Sequence, residues 1–431
     1  MPRDLLKSGL SVTVLRGANV VLGFAVILIL TRVLGPEGLG AYAFATTLLL
    51  LLGIPVSYGW APLLLREAAR ALHTGHWASV KGMAVRGTQL AVAFTGLGFF
   101  AGMGVLWTTD MPSAGLATVS LMAVLSITLL FEQLSALRTS ILRGLGFAVN
   151  AQVPEMVIKP AVQLALLTIA VATWFAALDV QLALGVLAVA AIVSFAVGAI
   201  ILQRLKPAAL ANAAPQFDDS QWLKTSALFA SSAAVSVLNA NADLLLLGLL
   251  RGTTDVGYYK VALQVALAGA LAYTSLNMIA VQRFATASAS GDRKELQQTA
   301  THLARLALVP ALATLLLLLA VGEQIIPVAF GADFAPSLTP MIILSAAQLV
   351  NAASGMGRSL LMMSGHENKA MLWAGVGLTA NIIICLLLIP AFGAAGAATG
   401  HLVSLTLWNG GIWWEVWRSN DVDASALGLK K

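Results

Sequence analysis

The chain has 431 residues, of which 59% are hydrophobic and only 10% charged, with a formal net charge of +6. Ordinary soluble domains carry roughly 25% charged residues, so this composition excludes a soluble enzyme or binding domain. Stretches without charge, such as Gly17–Thr31 and Ala161–Leu178, approach the ~20 residues a helix needs to cross a bilayer. A β-barrel would alternate polar and apolar residues in strands of about ten, and that period is missing. The composition therefore predicts an all-α polytopic membrane protein. The single cysteine, Cys385, allows neither an intrachain disulfide nor a cysteine metal site, and no metal is expected.

In chain order, Arg3 and Lys7 precede the first apolar run, but no small-x-small cleavage site follows it. A retained first span is expected rather than a removed targeting segment. Hydropathy then predicts about twelve spans: 9–33, 39–60, 86–108, 115–137, 156–177, 181–203, 222–250, 256–282, 302–321, 337–362, 371–390 and 394–416. Gly53 and Pro55 should bend the second, as membrane helices tolerate. The longest polar stretches, Arg66–Arg86, Arg204–Gln221 and Arg283–His302, leave no room for a separate soluble domain.

The lysines and arginines test the count. With the N-terminus inside, 22 of the 25 fall on the cytoplasmic side, Lys430 and Lys431 among them, and only Arg32, Arg251 and Lys260 fall outside. One missed span would invert every later loop and ruin the split. The positive-inside bias thus supports twelve spans with both termini cytoplasmic. It also explains the basic pI without nucleic acid as a partner.

A glycine-marked turn occurs twice. Thr31-Arg-Val-Leu-Gly-Pro-Glu-Gly-Leu-Gly-Ala-Tyr42 and Gly248-Leu-Leu-Arg-Gly-Thr-Thr-Asp-Val-Gly-Tyr-Tyr259 align Gly35 with Gly252, Gly40 with Gly257 and Tyr42 with Tyr259, at an offset of 217. A second pair, Gly146-Phe-Ala-Val-Asn-Ala151 and Gly365-His-Glu-Asn-Lys-Ala370, recurs at an offset of 219. Six spans is an even number, so both copies enter the membrane in the same sense. The expected plan is two parallel six-helix lobes, 1–212 and 213–431, around a central cavity.

Residues 31–44 resemble the N-terminal signature of Wzx-type polysaccharide flippases, of the multidrug/oligosaccharidyl-lipid/polysaccharide (MOP) exporter superfamily. Asn239-Ala-Asn-Ala-Asp243 with Leu-Leu-Leu-Leu-Gly248, and Pro390-Ala-Phe-Gly-Ala-Ala-Gly-Ala-Ala398, are similar to the same family. The resemblance implies an alternating-access transporter of the bacterial inner membrane. Its cargo would be an oligosaccharide on a polyprenyl pyrophosphate, moved to the outer leaflet among membrane lipids and other polysaccharide-assembly proteins. The superfamily also contains cation-coupled multidrug exporters and lipid II flippases, which remain alternatives.

Charge within a bilayer costs about 2.5–3.5 kcal/mol per residue on insertion scales, so deep charges mark cavities or partners. Arg16, with Asn19 on a neighbouring face, is a candidate for holding the pyrophosphate in bidentate fashion; a snorkelling side chain is the alternative. Glu132, Arg138 and Asn351 are further substrate-binding candidates. Glu132 with Arg138 also fits an interfacial charge cluster, and Glu155 with Lys159 an i,i+4 pair. Asp243 with Asn239 and Asn241 suits a proton or sodium site for coupling, or a structural hydrogen bond. Arg32, Arg251 and Lys260 are candidates for the outer mouth. His401 reads as a packing or hydrogen-bonding histidine, and Gly396 with Gly400 as a close helix approach. No glycine-rich phosphate cradle followed by lysine occurs, and the outer connections are short with scattered acids. No catalytic residue and no cofactor is therefore expected.

Overall fold

The computed structural model describes residues 3–108, 115–174, 178–290 and 293–429; Lys430 and Lys431 lie outside them. Among the described residues the regular structure is all helical, with no strand. α1 (Arg3–Leu52) runs into a π-helical turn (Ile54–Trp60), then α2 (Ala61–Thr74), α3 (Trp77–Thr108) and α4 (Gly115–Gly144). α5 (Ala148–Val153) continues through a second π-turn (Pro154–Ile158) into α6 (Lys159–Trp174), followed by α7 (Val180–Leu205), α8 (Ala208–Asn212) and α9 (Asp219–Arg251). α10 (Thr253–Gly269), α11 (Leu271–Ser290), α12 (Arg293–Ala329), α13 (Leu338–Ala353), α14 (Gly357–Met363) and α15 (Glu367–Asn420) complete the order.

Among the described residues, eight helices are long and apolar enough to cross a membrane, or nine if the bent pair α10 and α11 forms one span. Two of the eight break internally at glycine: α1 at Gly35 (φ 64°, ψ −175°) and α15 at Gly393 (φ 53°, ψ −129°). Each therefore carries two of the expected spans. The bend expected at Gly53 and Pro55 takes the form of the first π-turn.

The chain divides into two compact units, Met1–Val33 with Ala45–Ala234, and Leu34–Phe44 with Val235–Lys431. In the first, Trp60 is buried with its indole N–H donating to the Met83 carbonyl at 2.9 Å, and it meets Trp222 edge-on at 6.1 Å. Leu63, Leu64, Ala68, Met83 and Leu137 pack around it. The connection after α7 is held to the start of α3, where Lys81 donates to the Ala211 carbonyl at 2.8 Å and Arg86 pairs with Asp219 at 2.8 Å.

The second unit buries Phe284, Ala300, Met356, Leu360 and Val416 in one cluster that also takes in Val422 and Ala424 of the C-terminal segment. That segment is pinned by Asp423. Its side chain accepts from the Trp413 indole (2.8 Å) and from the backbone N–H groups of Ser425 (2.9 Å) and Leu429 (2.6 Å). Its backbone N–H donates to Gln297 Oε1 at 2.7 Å, and Gln297 Nε2 donates back to its carbonyl at 2.8 Å. Burial pushes the Asp423 carboxyl upward, but the hydrogen bonds from Leu429, Ser425 and Trp413 outweigh it and hold the carboxyl below its ordinary value.

The repeat read from the sequence is present in the backbone. Gly252 (φ 90°, ψ −173°) repeats the conformation of Gly35, and Gly365 (φ 78°) repeats the left-handed φ of Gly146 (91°). Only glycine adopts such angles without strain. Within the second unit the two long copies meet. A Cβ on Gly40 would fall 1.7 Å from the Thr253 carbonyl oxygen, and one on Gly257 would fall 2.0 Å from that of Pro36. Pro36 and Thr253 are themselves equivalent at the offset of 217, so the contact is reciprocal.

Candidate functional site

Each unit buries a polar network between its long helices, centred on Arg138 in the first and on Asp243 in the second. In the first, Arg138 of α4 is only 3% exposed. Its Nη1 donates to the carbonyls of Ser194 (2.9 Å) and Phe195 (3.2 Å) on α7. Its Nη2 donates to Glu155 Oε1 at 3.1 Å, and the same oxygen accepts from the Ser194 hydroxyl at 3.0 Å. Gly198 leaves the room: a Cβ there would fall 1.7 Å from Nη1. Glu132 pairs instead with Lys159. Two charged pairs thus run from α4 to the α5–α6 segment, Arg138 with Glu155 and Glu132 with Lys159. Glu155 lies within the π-turn Pro154–Ile158 and Lys159 directly follows it, so both sit where the winding departs from the ordinary α-helical register.

In the second unit the centre is an acid. Asp243 of α9 is 1% exposed. Its Oδ2 accepts from the Tyr259 hydroxyl of α10 at 2.5 Å and lies 2.8 Å from His401 Nδ1 of α15; its Oδ1 accepts from the Leu244 backbone N–H at 2.8 Å. Asn381, also buried, accepts from Cys385 Sγ at 3.2 Å, while its own Nδ2 has no partner among the described residues. Gly400 permits this packing, since a Cβ there would fall 2.6 Å from Cys385 Sγ and 3.0 Å from Asn381 Oδ1. Gly396 likewise lets the backbone of Leu388 come close, at 2.5 Å from a Cβ.

A buried carboxylate is costly unless its oxygens are hydrogen-bonded. Here the Tyr259 hydroxyl and the Leu244 N–H donate to it, and the His401 ring nitrogen lies within hydrogen-bond distance. The cluster thus joins a carboxyl, a phenol and an imidazole in one buried contact. The network of the first unit is centred instead on a guanidinium, which is protonated under ordinary conditions.

The other candidates are placed as follows. Arg16 and Arg32 are exposed on α1. Asn19 is half-buried and donates to the Met156 carbonyl at 3.1 Å. Asn351 donates to Gln348 Oε1 at 3.5 Å and accepts from Asn409 at 3.2 Å. Asn239 and Asn241 spend their amide N–H groups on the carbonyls of Ala374 (2.8 Å) and Val237 (2.9 Å), not on Asp243. Arg251 pairs with Asp255 at 3.3 Å and reaches the Pro390 carbonyl at 3.3 Å, whereas Lys260 is half-buried. Sequence reasoning missed the partnership of Asp243 with Tyr259 and His401. The available signals were the aromatic Tyr259 at the repeated turn and a lone histidine one residue past Gly400. Among the described residues no group of three or more His, Cys, Asp or Glu could hold a metal ion.

Comparison with known proteins bears on what this arrangement serves. The sequence matches the family described as polysaccharide biosynthesis protein over residues 5–287. No curated protein matches it in sequence. Solved structures share the fold at low identity. An inward-facing multidrug resistance MATE family transporter of the MOP superfamily superposes with a TM-score of 0.71 at 14% identity, over 93% of this chain and 94% of the other. The lipid II flippase MurJ in an inward closed conformation gives 0.73 at 14% identity, over 94% and 86%. A MOP superfamily transporter from Pyrococcus furiosus gives 0.63 at 14% identity, over 95% and 94%. The chain is thus a multi-pass membrane protein with the fold of MOP-superfamily transporters, and it belongs to the polysaccharide biosynthesis protein family.

Proposed function

We propose that the chain flips a polyprenyl-pyrophosphate-linked oligosaccharide from the cytoplasmic to the outer leaflet of a bacterial inner membrane, by alternating access of lobes 1–212 and 213–431. The match to the polysaccharide biosynthesis family over residues 5–287 carries this reading, because a glycan-pathway protein on a transporter fold needs a glycan-bearing cargo small enough to cross. Arg16, exposed on α1, supplies a guanidinium for the pyrophosphate. Asp243, Tyr259 and His401 form the coupling centre: a proton entering it neutralises a buried anion and lowers the cost of repacking that lobe. The chain itself performs no covalent chemistry.

The test is translocation in proteoliposomes. Purified protein should carry a short polyprenyl-pyrophosphate oligosaccharide between leaflets, and Arg16→Ala should abolish this while the protein remains inserted, with Arg16→Lys restoring little. A second reading, a cation-coupled exporter of the multidrug type, draws on the buried acid of α9 and on the MATE-like fold. Efflux of a cationic dye without movement of the lipid-linked glycan would favour it and overturn the first.

A further inference from the structure

At the start of α12 the second unit holds a cavity of about 1100 Å³. Four cations line it, Arg283, Arg293, Lys294 and Arg305, against two carboxylates, Glu295 and Asp421. Two of the cations are engaged by the C-terminal segment: Arg305 Nε donates to the Ala426 carbonyl at 2.9 Å, and Arg293 lies 3.4 Å from Asp421. Arg283 and Lys294 are exposed and make no ion pair or hydrogen bond among the described residues. Gly428 of the same segment completes one wall. The cavity is therefore a cationic bowl with two donors in reserve.

The helix that forms its floor adds a second observation. One face of α12 is exposed through successive turns at His302, Arg305, Leu306, Val309, Leu312, Leu316 and Leu319. Along it the chemistry switches from cationic to apolar between Arg305 and Leu306 and then stays apolar: Val309 is 66% exposed, Leu316 55% and Leu319 59%. A soluble anion matches the bowl alone and takes no account of the apolar face that continues directly from it. A phospholipid has the same order of chemistry as the helix, a charged phosphate followed by hydrocarbon. Basic pockets at the edge of transmembrane helices select anionic head groups on this principle.

We propose that this cavity binds the head group of an anionic phospholipid, with Arg283 and Lys294 on the phosphate and the acyl chains along Leu306, Val309 and Leu316. The C-terminal segment, pinned through Asp423, supplies the wall that makes the surface a pocket. This site is independent of the transported cargo.

The test is lipid binding to the purified full chain, read by native mass spectrometry with phosphatidylglycerol and phosphatidylcholine as probes. Phosphatidylglycerol should bind more tightly than phosphatidylcholine, and Arg283→Gln with Lys294→Gln should weaken it about tenfold or more, since each basic residue near a head group contributes on the order of 1 kcal/mol. Leu306→Ser with Val309→Ser should weaken both lipids. Removing two exposed basic residues elsewhere, Arg204→Gln with Lys206→Gln, should change nothing. Equal weakening by that control, equal affinity for the two lipids, or displacement of phosphatidylglycerol by micromolar inorganic pyrophosphate would each overturn the proposal. All these substitutions fall on exposed side chains, and unchanged thermal unfolding in phosphatidylcholine would confirm that the variants fold.

Discussion

The two buried networks solve the same physical problem in opposite ways. In the first unit Arg138 brings a permanent positive charge into the apolar interior and is answered by Glu155 and two backbone carbonyls. In the second, Asp243 brings a negative charge and is answered by a phenol, an imidazole and a backbone N–H. One set of partners holds a charge that never changes; the other can gain a proton in place. On the proposed function the first network is scaffolding and the second the switch, and the following predictions try to break that division.

The largest effect should come from Arg138→Ala. Removing one partner of a buried ion pair leaves the other uncompensated, at a cost of about 3–5 kcal/mol, so the variant should insert poorly or unfold early in a thermal melt. Normal melting with loss of transport alone would place Arg138 in the switching class instead. The reciprocal glycine contact comes next. Gly40→Ala and Gly257→Ala each drive a Cβ into a carbonyl oxygen, and overpacking of this kind costs about 1–3 kcal/mol; the melt of either variant should fall by a similar amount because the two clashes are equivalent. A smaller effect on stability is expected from His401→Gln, which keeps a donor near Asp243 but removes a titratable ring. Its melt should stay within about 1–2 kcal/mol of the parent, while the response of transport to an imposed ion gradient weakens.

The smallest effect concerns the C-terminal segment, a region with a buried carboxylate but no titratable partner. Asp423 has a folded value below the ordinary 3.8, so it contributes to docking fully above that value, and the contribution fades as pH falls through the depressed one. Protease access to residues 421–429 should rise in that acidic window. In Asp423→Asn the segment should be looser at neutral pH and show no such step.

What the sequence disclosed follows from which constraints are local. Gly35 and Gly252 were readable as a repeat because their backbone angles demand glycine, and the same holds for Gly146 and Gly365. The helical membrane class was readable because hydropathy is a property of each run by itself. The partnership of Asp243 with His401, 158 residues apart, was not, because a helix that is apolar all round gives no sign of which face meets which neighbour. Asn241 shows the same limit at short range: two positions from Asp243 on a helix, it cannot share its face, and it bonds within its own helix. The crossed pairs Glu132–Lys159 and Arg138–Glu155 depended on a π-turn that spacing alone does not announce. The packing role of Asp423 depended on three donors assembled only by the fold.

The switching role of the second unit is tested most directly by Asp243→Asn in proteoliposomes loaded with the polyprenyl-pyrophosphate oligosaccharide. Flipping is measured with and without an imposed proton or sodium gradient, beside the parent protein. The parent should flip faster when the gradient is imposed, and Asp243→Asn, folded and inserted, should flip at one slow rate in both conditions. A variant that keeps the parent's full response to the gradient would contradict the assignment of coupling to Asp243, Tyr259 and His401.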